Sequence, residues 1–67
     1  MINPIKVGKR LIVLRGNKTQ EKVASDCGIS TSALAMYETG KRMPRDEIKV
    51  KLARYYNTTV EELFFAS

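Results

Sequence analysis

Sixty-seven residues make one domain, 1–67, with room for a single small core. Hydrophobic residues at 43% are too many for a disordered chain, and twelve lysines and arginines against seven acidic residues leave a net charge of +5. With no histidine and Cys27 as the single cysteine, zinc sites, internal disulfides and histidine acid–base chemistry are excluded.

The elements are punctuated by turn signals. Asn3-Pro4 starts a first helix, about Pro4 to Arg15, with Val7, Leu11, Ile5, Ile12 and Leu14 as its apolar residues; Gly16-Asn17 ends it. Thr19 caps a second helix, Gln20 to Cys27, whose inward face is Val23, Ala24 and Cys27. Gly28 stops it, and Ser30 caps a third, Thr31 to about Thr39, with Leu34 and Tyr37 inside and Gly40 at its end. A fourth opens at Pro44 and Asp46 and carries Ile48, Leu52, Ala53 and Tyr56 as an inward stripe; Asn57 closes it. Thr59-Val60-Glu61-Glu62 reads as a capping box that begins a short fifth helix ending near Phe64. No segment alternates with the period of a strand, so an all-α fold of five helices is expected. The apolar run Leu11 to Leu14 is too short for a signal core, and no run approaches the roughly 18 residues of a membrane span. A reduced, cytoplasmic protein follows.

Charge is unevenly placed. All twelve basic residues lie outside the stretch from Val23 to Gly40, which contains the third helix. Helices two and three are joined only by Gly28-Ile29-Ser30, the tight glycine-containing link of a helix-turn-helix, about residues 20–39. Ala24 and Gly28 are small where two backbones must approach, and Ile29, Leu34 and Tyr37 plug the wedge from behind.

The stretch TQEKVASDCGISTSALAMYETGKRMPR resembles the helix-turn-helix of the phage Cro and repressor family, or XRE family, with its lambda-repressor-like fold. Ala24, Gly28, Ile29, Leu34 and Tyr37 stand where that family has a small residue, a glycine and three apolar residues. YETGKRMPR and LARYYNTTVEELF resemble the loop and last two helices, so the likeness runs from about Ile5 to Phe64. The chain departs from the pattern in its short RGNKTQ loop, in Thr58 for an aliphatic residue and in Cys27 for leucine.

The resemblance implies a transcriptional regulator, a repressor binding double-stranded DNA with the recognition helix 31–39 in the major groove. Base contacts then fall to Thr31, Ser32, Ala35 and Met36 on the outward face, hydroxyls reading base edges and apolar groups meeting thymine methyls. That face lacks the arginine–guanine or glutamine–adenine fork, so DNA shape should contribute to selectivity. Phosphate contacts are expected from Gln20 and Ser30 at helix N-termini and from Lys41, Arg42 and Arg45 on the following loop, with Lys18 on the other side. Lys49, Lys51 and Arg54 read as a solvated face. The resemblance further implies a structural ion pair of Arg10 with Glu38, Arg15 being the other available partner.

One helix-turn-helix covers one half-site, whereas two-fold dimers place two recognition helices about 34 Å apart on a palindrome. A homodimer at least on DNA is therefore expected, Phe65 contributing with Val50 or Tyr55; the other arrangement folds Phe64 and Phe65 both onto helix one. An enzyme is not expected, since no phosphate loop or converging carboxylates accompany the missing histidine. Neither cofactor, metal nor membrane is implied. The competing reading is a protein-interaction module on the same fold, an antitoxin or anti-repressor.

Overall fold

The computed structural model describes residues 2–66. Five helical elements follow in order: α1 Pro4–Arg15, α2 Gln20–Cys27, α3 Thr31–Glu38, α4 Asp46–Tyr55 and α5 Glu61–Phe65. No strand occurs among the described residues.

Local chemistry sets the boundaries. The Asn3 side chain accepts from the N–H groups of Ile5 (3.0 Å) and Lys6 (3.2 Å), with Pro4 in the first helical position, where its missing N–H is not needed. Thr19 caps α2 by accepting from Lys22 N–H at 3.1 Å, and Ser30 caps α3 by accepting from Ala33 N–H at 3.0 Å. Between them Gly28 is left-handed at φ 69°, which lets the Ile29 N–H bond back to the Ala24 carbonyl at 3.0 Å. This closes α2 in one residue and points α3 across it. At the C-terminus the Thr59 hydroxyl accepts from Glu62 N–H at 3.0 Å, the threonine half of the expected capping box. The turn that follows is π-helical, with Ala66 N–H bonded to the Glu61 carbonyl at 2.8 Å.

The core is drawn from every helix: Val7 and Leu11, Val23, Ala24 and Cys27, Leu34 and Tyr37, Leu52 and Ala53, Leu63 and Phe64. Of the apolar residues of α1, Ile5, Ile12 and Leu14 are 59%, 44% and 40% exposed, because α1 turns Val7, Gly8 and Leu11 inward. Two expectations need correction. Lys49 is not on a solvated face: its stem is buried and its ammonium sits 3.4 Å from Asp46 and over the Phe65 ring. Phe64 and Phe65 part company, the first fully buried and the second 46% exposed, so they do not both fold back.

Gly8 explains the choice of face on α1. A side-chain carbon there would lie 2.9 Å from the Tyr37 carbonyl oxygen and closer still to that of Glu38. The α1 backbone thus runs directly against the last turn of α3. Only glycine permits this approach.

Candidate nucleic-acid interface

The site is built around α3. Its inner side is fixed by Leu34 and Tyr37, both buried, and by Glu38, a carboxylate at 4% exposure. The outer side carries Thr31, Ser32 and Met36, all exposed, and Ala35, half-buried beside them. At positions i, i+1, i+4 and i+5 these four form one continuous stripe opposite the core. No charged group stands on that stripe.

Glu38 is held from two helices. Arg15 donates from Nε to Oε2 at 2.7 Å and from Nη2 to Oε1 at 3.2 Å, while Gln20 donates from Nε2 to Oε1 at 2.8 Å. The paired carboxylate raises the Arg15 pKa above its ordinary value, so the charge is permanent. The ion pair is therefore Arg15–Glu38 rather than Arg10–Glu38. Helical geometry is the reason: Arg15 follows Leu11 by four residues and continues the inward stripe, whereas Arg10 falls on its flank. Arg10 instead donates to the carbonyls of Glu62 and Leu63 in α5 and of Ala66 just after it.

The flanking cations divide in two. Lys41 and Arg42 are exposed, on a loop whose N–H groups both bond the Met36 carbonyl, at 3.0 and 3.3 Å. This ties their backbone to the end of α3 and leaves their side chains outward. Arg45 is also exposed and meets Glu47 at 3.7 Å, a loose surface pair that water screens. Lys18 is placed elsewhere, its ammonium 4.8 Å over the Tyr55 ring of α4. Ser30 is engaged as the α3 cap, and Gln20 at the head of α2 already bonds Glu38.

Of the residues expected at a dimer contact, Phe65 and Val50 are exposed, at 46% and 38%. Tyr55 is half-buried, and its hydroxyl donates to Asp26 at 2.7 Å. That bond lowers the Asp26 pKa and pushes the Tyr55 phenol up to about 12. Tyr55 is thus used within the chain, joining α4 to α2.

Two features escape a reading of the sequence. Gly8 leaves a signal, an isolated glycine in an otherwise helical pattern, but the backbone it admits belongs to α3. The Gln20–Glu38 bond leaves none, since the two residues are 18 positions apart.

The helix-turn-helix family profile matches residues 9–63. A segment of 48 residues is 33% identical to an uncharacterized HTH-type transcriptional regulator of Archaeoglobus fulgidus, covering 72% of this chain and 68% of that protein. Another, of 47 residues, is 38% identical to the cryptic phage CTXphi transcriptional repressor RstR of Vibrio cholerae, covering 70% of this chain and 42% of the repressor. Among solved structures, the restriction-modification controller protein C.AhdI from Aeromonas hydrophila superposes with a TM-score of 0.80 at 34% identity over 90% of this chain and 94% of its own. The clp gene regulator ClgR from C. glutamicum shares the fold, with a TM-score of 0.77 at 18% identity, over 94% of this chain and 84% of its own. With its capped α2–turn–α3 unit and a family match over most of its length, the chain belongs to the helix-turn-helix family of transcriptional regulators.

Proposed function

We propose that the protein is a sequence-specific regulator of double-stranded DNA, a repressor that binds a palindromic operator as a homodimer and acts on the nucleoid in the cytoplasm. The observation that carries this reading is the contrast across α3. A helix anchored from behind by Leu34, Tyr37 and a buried ion pair presents an outer stripe of Thr31, Ser32, Ala35 and Met36 that the chain itself does not use. Inside the major groove such residues supply hydroxyls for base edges and methyl groups for thymine. Outside it, Lys41, Arg42 and Arg45 meet phosphates, together with Gln20 and Ser30 at the N-termini of α2 and α3. Lys18 joins them only by leaving Tyr55.

The dimer contact falls to Phe65 and Val50, since Tyr55 is bound to Asp26. A repressor and a controller protein among the similar proteins support a regulatory role. A mobility-shift assay on duplex DNA flanking the protein's own coding region tests the reading. A retarded band that survives excess unrelated duplex is expected; competition by any sequence alike would contradict specific binding.

A further inference from the structure

Tyr37 is more than nine-tenths buried, at 7% exposure, and belongs to the core behind α3. Among the described residues neither Tyr37 nor Tyr56 has its hydroxyl bonded within the chain, but only that of Tyr56 is sealed from solvent. The surface that Tyr37 reaches is one wall of a cleft of about 460 Å³, bounded by α3, the loop after it and the head of α4.

The other polar residues of that cleft are Ser30, Arg42, Arg45 and Glu47. Two guanidinium groups and two hydroxyls thus line one space, a donor set suited to a phosphate. Ser30 accepts from the Ala33 N–H at 3.0 Å and still has its own proton to donate. Glu47 alone opposes an anion. Its carboxylate lies 3.7 Å from Arg45, and with both side chains at least 70% exposed the pair opens at little cost.

We propose that this cleft seats one phosphate of the DNA backbone and that the Tyr37 hydroxyl is a ligand to it, beside Ser30, Arg42 and Arg45. Phenylalanine would serve the core equally well; the hydroxyl serves the phosphate. Tyr37 is fixed in the core and belongs to the recognition helix itself. A phosphate held there therefore sets the register of the outer stripe on the duplex. This assignment rests on the DNA-binding reading and adds to it a ligand drawn from the buried side of α3.

Binding of a mixed-sequence duplex by Tyr37→Phe decides the matter. Affinity should fall about 5- to 30-fold on every sequence alike, as a hydrogen bond to a charged group is lost. The log–log salt slope should stay as in wild type, because a neutral hydroxyl releases no counterion, whereas Arg42→Ala should flatten it by about 1. Tm should stay within about 4 °C of wild type. Glu47→Gln, which frees Arg45, should tighten binding about 2- to 5-fold, and no gain would remove Arg45 from the seat. An unchanged affinity in Tyr37→Phe would overturn the proposal and leave the DNA reading standing. A wild type that binds no duplex would overturn that reading first and the phosphate seat with it. Should Tyr37→Phe melt lower than expected, NMR of the wild type with isotope-labelled tyrosine ζ carbons takes its place. The Tyr37 signal should shift as duplex is added; a signal unmoved by bound duplex would sink the idea.

Discussion

The two sides of α3 are built to opposite rules. Behind it, a backbone-to-backbone contact at Gly8, two buried side chains and a twice-bonded carboxylate fix the helix in one place. In front, Thr31, Ser32 and Met36 are exposed and make no demand on the fold. The inner side settles where the helix lies, and the fold leaves the outer side free to vary. Stability and specificity should therefore separate under mutation.

The sharpest way to break that comparison is at Arg15. Its loss strands the Glu38 carboxylate, whose side chain is 2% exposed, with Gln20 alone. Arg15→Ala should cost about 3–5 kcal/mol and leave a domain of this size close to unfolded by denaturant titration. Glu38→Ala should cost less, about 1–3 kcal/mol, because Arg15 is 21% exposed and its guanidinium can turn to water. Equal losses would show that the carboxylate is not the buried partner.

Gly8→Ala comes next. Overpacking against the α3 carbonyls should destabilise by about 1–3 kcal/mol, with α3 displaced and DNA affinity reduced in step. A melt coincident with wild type would mean that the helices are further apart. Arg10→Ala separates the two arginines: loss of its carbonyl bonds should cost about 1 kcal/mol, loosening α5 and leaving Glu38 paired.

At the small end stand the loop and the stripe. Lys41→Ala with Arg42→Ala should change stability by less than about 0.5 kcal/mol while flattening the log–log salt dependence of DNA binding by about 2. An unchanged slope would remove that loop from the interface.

The sequence makes the helices legible because their ends are decided locally. Asn3-Pro4, Thr19, Gly28 and Ser30 cap or stop their own segments through bonds to near neighbours. What α1 buries is not local. Ile5, Ile12, Val13 and Leu14 offer apolar area all round that helix, and hydrophobicity cannot say which part is covered. The covering surface is α3, and it admits the side where Gly8 has no side chain. The same contact picks Arg15 over the Arg10 that the resemblance implied. The outer stripe of α3 was readable for the converse reason: with Leu34 and Tyr37 inside, helical spacing alone puts Thr31, Ser32 and Met36 outside.

Selection from random duplex DNA tests the central claim most directly, run on the wild type and on a variant with Thr31, Ser32 and Met36 replaced together. The account predicts that wild type enriches a two-fold symmetric site with half-sites about 34 Å apart. The variant should melt within about 0.5 kcal/mol of wild type yet enrich a different site. Enrichment of the same site by both proteins would contradict the assignment of the outer face of α3 to reading DNA.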